Sequence, residues 1–161
     1  MTELTTNEGF RLSPQQRRLW SLQKQSSPCK VQCTIRLTGD INLSCLKSAV
    51  GTIIKKHEVL RTKFYTQPEL KWPLQVISDS DYFSWFDIDL SNKKPEEQKE
   101  YIEKILLTER QSNTDVIVSA YLFNLGKDEY LLLFSFLGMN ADTITLNNLV
   151  SEIGQHYVGK L

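Results

Sequence analysis

Along this chain, apolar positions switch between a helical period and strict alternation, and the switches mark out the elements. In VQCTIRL, Val31, Cys33, Ile35 and Leu37 share one face and Gly39 follows, which predicts a half-buried strand closed by a turn. From about Leu43 to Lys56, residues Leu43, Leu46, Val50, Ile53 and Ile54 recur at three- and four-residue steps, the spacing of one helix face. Ser13, Pro14 and Gln16 predict an earlier helix with an N-cap, a first-turn proline and a capping-box glutamine. That helix should run to about Gln25, with Leu19, Trp20 and Gln23 straddling the core boundary. Pro95, Glu96 and Glu97 open a third helix whose acidic first turn suits its dipole. Tyr101, Ile102, Ile105 and Leu106 should form its buried stripe, and it should end near Gln111.

Between these helices, LRTKFY and PLQVIS read as short strands separated by a loop around Pro68 and Pro73, while DYFSWFDIDL alternates only in part. DVIVSAYLF and EYLLLFSF, joined through Leu125, Gly126, Lys127 and Asp128, predict a β-hairpin. The second of these strands is nearly continuous in apolar residues and is therefore expected at the centre of its sheet. A last helix, about Thr143 to Tyr157, should bury Leu146, Leu149, Val150 and Ile153. The order predicts an α/β (α+β) fold, a mixed sheet covered by helices.

A chain of 161 residues is one domain or a substantial lobe of one. Lys plus Arg and Asp plus Glu both total 19, and no segment gathers basic and aromatic residues into a stripe, so no nucleic-acid partner is expected. The longest apolar run, around Tyr130 to Met139, is about half the ~20 residues that span a bilayer. The N-terminal MTELTTNEGF lacks the layout of a signal peptide. The expected location is cytoplasmic, with no membrane partner. Cys29, Cys33 and Cys45 are odd in number, without a CxxC spacing or a nearby His, and read as reduced packing residues rather than a disulfide or zinc framework. With no metal-ligand cluster and no glycine-rich phosphate loop in the sequence, neither a metal nor a cofactor is expected.

Three stretches together carry a family resemblance. FRLSPQQRRLW, with Ser13, Gln16 and Trp20, resembles the opening Ser-x-x-Gln-x-x-x-Trp motif of nonribosomal peptide synthetase condensation domains. KKHEVLRTKF resembles their second motif, RHExLRTxF: His57, Glu58, Arg61, Thr62 and Phe64 match, and Lys56 replaces the leading Arg. FSFLGMNADTITL sits where that family places HHxxxDG; aligned on Asp142, the two histidines become Leu137 and Gly138 and the final Gly becomes Thr143.

The resemblance implies a lobe of chloramphenicol acetyltransferase-like fold. Condensation domains pair two such lobes around a tunnel, and residues 1–161 correspond to the N-terminal one, a single truncated domain. In the family the second His of HHxxxDG acts on or positions the acceptor amine. A base must reach its proton at about 2.6–3.2 Å, which Gly138 cannot do. The family's Asp forms a structural ion pair with the Arg of LRTxF, which implies an Arg61–Asp142 pair here. His57 is expected to pack and hydrogen-bond behind the sheet, and His156 to sit in solvent near the C-terminal end of the last helix. Ser135, His57 and Asp142 do not amount to a triad, since no nucleophile elbow frames Ser135. Trp20, Trp72 and Trp85 read as core or groove residues.

The expected function is that of a catalytically inactive interaction or structural module of a nonribosomal peptide synthetase in natural-product biosynthesis. Its expected partners are adenylation or carrier protein domains, a recruited tailoring enzyme, or a second copy of itself. Any phosphopantetheine would be borne by a carrier protein. The alternative is an acyltransferase, acting on carrier-protein thioesters and completed by a partner lobe or dimer mate. A third reading is a remnant or excerpt of a longer protein.

Overall fold

The computed structural model describes residues 9–23, 29–80, 82–112 and 116–159. Its centre is the predicted hairpin, β6 (Val118–Gly126) and β7 (Glu129–Leu137). The turn residues Lys127 and Asp128 have φ of 54° and 57°, the left-handed pair that matches a tight hairpin to the twist of its strands. β7 is paired on both sides, with β6 and with β2 (Lys30–Thr38), both antiparallel. The sheet order is β2-β7-β6-β5. β5 (Phe83–Asp89) runs parallel to β6, and α3 (Pro95–Gln111) supplies the crossover that a parallel pair requires.

The two faces of this sheet bury different helices. On one, α2 (Leu43–Lys56) and α4 (Thr143–Tyr157) set Leu46, Val50, Ile53, Leu146, Leu149 and Ile153 against Leu132, Phe134 and Phe136. On the other, α3 covers a smaller core of Leu90, Phe123 and Leu133. The near-continuous apolar run in β7 follows from this: its successive side chains enter two cores in turn. Leu43 and Tyr101, predicted on buried faces, are exposed; Leu43 opens its helix and Tyr101 lies outside the Ile102, Ile105 and Leu106 stripe.

A second, three-stranded sheet accompanies the first, with antiparallel order β1-β4-β3. It consists of β1 (Phe10–Arg11), β3 (Thr62–Tyr65) and β4 (Leu74–Ile77). The sequence pattern predicts a single sheet, and strands of two to four residues are too short for alternation to separate. A 3-10 helix, Glu58–Arg61, leads into β3. α1 (Pro14–Gln23) starts where the capping box predicts, with Ser13 N donating to Gln16 Oε1 at 2.9 Å and Gln16 N donating to Ser13 Oγ at 3.2 Å. Gln25 lies outside the described residues.

Polar contacts tie the C-terminal end of α3 to the sheet. Gln32 Nε2 donates to Leu106 O at 3.0 Å, and Tyr121 Oη donates to Glu109 Oε1 at 2.5 Å. Burial, then that bond, pushes the Tyr121 phenol well up from its ordinary value. All three cysteines are free. Cys33 is half-buried and burial raises its thiol pKa, whereas Cys29 and Cys45 are both exposed, so of the three only Cys33 is packed away as expected.

Candidate functional site

The turn from β7 into α4 carries the HHxxxDG-aligned positions, and each has a structural occupation of its own. Asp142 is the N-cap of α4, its Oδ1 accepting from Thr145 N and Thr145 Oγ1, both at 2.8 Å. These bonds hold its carboxyl below the usual range. The expected Arg61–Asp142 ion pair does not form. Arg61 closes the 3-10 helix and points toward the end of β4: Nη1 lies 2.8 Å from Asp79 Oδ1, Nη2 3.7 Å from Glu58, and Nε donates to Lys55 O at 3.2 Å. Each group is committed to neighbours closer in sequence, a first-turn cap for the carboxylate and a strand-end loop for the guanidinium.

The link between the motif stretches comes from a residue that the resemblance leaves undefined. Asn140 is buried, and its Nδ2 donates to Val59 O at 2.6 Å and Thr62 O at 2.8 Å. Gln16 reaches the same turn from α1, its Nε2 donating to Gln75 Oε1 at 2.9 Å and to Met139 O at 3.3 Å. Thr62 in turn donates from Oγ1 to Glu58 O at 2.7 Å. The three motif stretches therefore converge on the β7–α4 turn through amides and a hydroxyl. Trp20 and Phe64, the aromatic positions of the first two motifs, are half-buried.

His57 follows α2 and faces α4, its Nε2 3.0 Å from both carboxylate oxygens of Glu152. Lys56 Nζ adds a contact to Glu152 Oε2 at 3.1 Å. The pair borders a cleft of about 150 Å³ that Asn148 and Thr145 also line. His57, then Lys56, holds the Glu152 carboxyl below its ordinary value. A depressed carboxylate contributes stability that is complete above its unfolded-state pKa and is lost as the pH falls through the folded one. Glu152→Gln is therefore expected to lower the Tm near neutrality and to flatten its decline on acidification, read by thermal melts across the acid range. An unchanged acid limb would show that this pair contributes nothing.

Ser135 is fully buried in β7, His57 is engaged with Glu152 and Asp142 caps α4, so these residues have separate surroundings and do not form a triad. His156, expected in solvent, is half-buried near the end of α4. Among the described residues, no group of three or more His, Cys, Asp or Glu is placed to hold a metal. No described helix is long and apolar enough to cross a membrane.

Gly138 has a steric reason to be glycine. A Cβ there would lie 2.9 Å from Cys29 Sγ, the tip of an exposed side chain, and 3.0 Å from the backbone Cys29 O, tighter than most Cβ contacts. Gly138 N also donates to Cys29 O at 2.7 Å, which fixes the approach of the two backbones. Leu137 packs against the larger core. The two positions thus lack imidazole, and at one of them even a Cβ would press on Cys29.

A family model described as Condensation domain matches residues 7–160. The chain is 28% identical over 154 residues to a hybrid PKS-NRPS synthetase of a Fusarium species, an alignment covering 92% of this chain and 4% of that protein. It is 27% identical over 149 residues to the cyclosporin synthetase of Tolypocladium inflatum, covering 91% of this chain and 1% of that protein. The condensation domain of a monacolin K polyketide synthase superposes with a TM-score of 0.79 at 22% identity, over 94% of this chain and 35% of that one. The starter condensation domain of a rhizomide synthetase superposes at 0.80 with 14% identity, over 93% and 37%. The chain thus spans little more than a third of these solved condensation-domain chains and only a small fraction of the synthetases. The match runs through all three motif stretches and the turn on which they converge, and the chain belongs to the condensation domain family of nonribosomal peptide synthetases and their polyketide hybrids.

Proposed function

We propose that this condensation-type lobe is catalytically silent at its motif and serves as an interaction module within a natural-product assembly line. The observation that carries the reading is the seat of Gly138, where even the first side-chain carbon of a histidine would press on Cys29. The groups that hold the lobe together stand beside it: the Ser13–Gln16 capping box, the Asn140 tether and the His57–Glu152 contact. Fold retention without the base fits a platform better than a transferase. The relatives that it resembles are parts of multidomain synthetases, so its partners would be neighbouring adenylation or carrier domains or an enzyme recruited to them. Phosphopantetheine would arrive on a carrier protein, and the lobe itself would need no cofactor.

The competing reading is an acyltransferase completed by another lobe or by a second copy. Positioning alone accelerates reactions greatly, so the assay must include the complete partner set. Acyl-loaded carrier protein and an amine acceptor are incubated with the lobe, alone and with its neighbouring synthetase domains. The expected result is no transfer above the rate without the lobe. Transfer that depends on the lobe and is lost on substitution near Gly138 would overturn the proposal.

A further inference from the structure

The whole chain is neutral by count, with 19 basic and 19 acidic residues, yet among the described residues the charged groups that line one pocket are all cations. It is a cleft of about 300 Å³ between the start of α1 and the segment that enters β4. Its apolar wall includes Leu12, Trp72 and Pro73, with Leu70 at its edge, 45% exposed. Around them stand Arg11 from β1, Arg17 from α1 and Lys71 from the loop before β4. Among the described residues, no Asp or Glu lines it. None of the three cations takes part in an ion pair among the described residues; Lys71 Nζ lies 5.4 Å from the Trp72 ring centroid.

This arrangement is unfavourable for the isolated lobe. Arg17 sits near the positive end of the α1 dipole, and the first turn of that helix contains no acidic residue to offset it. The three cations together also raise the potential over a partly exposed apolar surface, which favours an anionic partner and speeds its encounter. They stand around a cleft with an apolar wall, which suits an apolar side chain with carboxylates on either side better than a free phosphate. Trp and Arg are also the residues most often found at the energetic centres of protein interfaces.

We propose that this pocket is a docking site for an acidic segment of a partner protein, which inserts one large apolar side chain against Trp72 and Leu12 and pairs its carboxylates with Arg11, Arg17 and Lys71. The inference rests on the platform reading and gives it a surface and a partner chemistry. Arg11 and Arg17 lie in the first motif stretch, whose Gln16 contacts the β7–α4 turn, so a bound segment would lie beside the motif junction.

The probe is a short fluorescein-labelled peptide with a central Leu-Phe pair between Glu and Asp residues, followed by anisotropy with the intact chain. Saturable binding that weakens with salt is expected. The triple variant Arg11→Glu, Arg17→Glu and Lys71→Glu, at exposed positions, should keep the parent melting curve and lose at least about tenfold in affinity. It should also bind the matching peptide with Lys and Arg flanks, a charge exchange that general damage to the fold would not produce. Absence of binding, equal binding to parent and triple variant, or equal binding of an acidic peptide with Ser-Gly in place of Leu-Phe overturns the proposal. Acyl-transfer activity bears only on the silent-platform reading, so the two failures are distinguishable.

Discussion

Gly138→His is expected to lower the Tm without restoring acyl transfer. The overlap begins at Cβ, with Cys29 Sγ at 2.9 Å and Cys29 O at 3.0 Å, so the imidazole cannot rotate away from it. The carbonyl cannot recede freely either, because it accepts the Gly138 N–H at 2.7 Å. Overpacking of this kind costs roughly 1–3 kcal/mol. For a chain of 161 residues that corresponds to a fall in Tm of about 3–10 °C. Because the conflict lies at Cβ, Gly138→Ala should incur most of the same loss. Cys29→Gly should relieve the part due to sulfur and leave the part due to the carbonyl, a coupling that a double-mutant cycle by calorimetry reads directly. If Gly138→Ala melted with the parent, the steric account of this glycine, and with it the main support for a silent centre, would fail.

Most of the larger elements were legible in the pattern of apolar residues, because α2, α3, α4 and the hairpin each bury a periodic face. The parallel pairing of β5 was not, since DYFSWFDIDL alternates only in part and its partner is set by the α3 crossover rather than by a local turn. The three-stranded sheet escaped for a related reason: β1 has two residues and β3 and β4 four each. At the site, Ser13 and Gln16 form the capping box that their spacing predicts, because a cap is a local contact. The Arg61–Asp142 pair was an inference from a family pattern between groups far apart in sequence, and nearer partners claim both. Asn140 had no signal at all in the sequence, since its role depends on where the carbonyls of Val59 and Thr62 come to lie.

Asn140 should therefore matter more to the lobe than Arg61 does. Asn140 is 3% exposed and its amide serves two carbonyls, of which that of Thr62 is buried. Asn140→Leu removes both donors and leaves a buried acceptor unpaired, a loss of about 2–4 kcal/mol once the desolvated carbonyl is included. Arg61→Leu gives up a contact to an Asp79 side chain that is 97% exposed, worth about 1 kcal/mol or less, together with the longer bonds to the carbonyls of Lys55 at 3.2 Å, which is exposed, and Ser78 at 3.5 Å. The ordering is the opposite of the one implied by an Arg61–Asp142 pair, and urea unfolding of the two variants decides between them. Asn140→Asp adds a pH signature. Its carboxylate would face two carbonyl oxygens in a buried site, so its folded pKa is raised, and its protonated form regains one donor. A raised folded pKa means that the variant is most stable in acid and loses stability as the pH rises through that value. The deficit of Asn140→Asp relative to the parent should thus be largest at neutral pH and shrink on acidification, whereas that of Asn140→Leu should not shrink in the same way. Parallel deficits for the two variants across the acid range would show that the amide donors of Asn140 are not what joins the motif stretches.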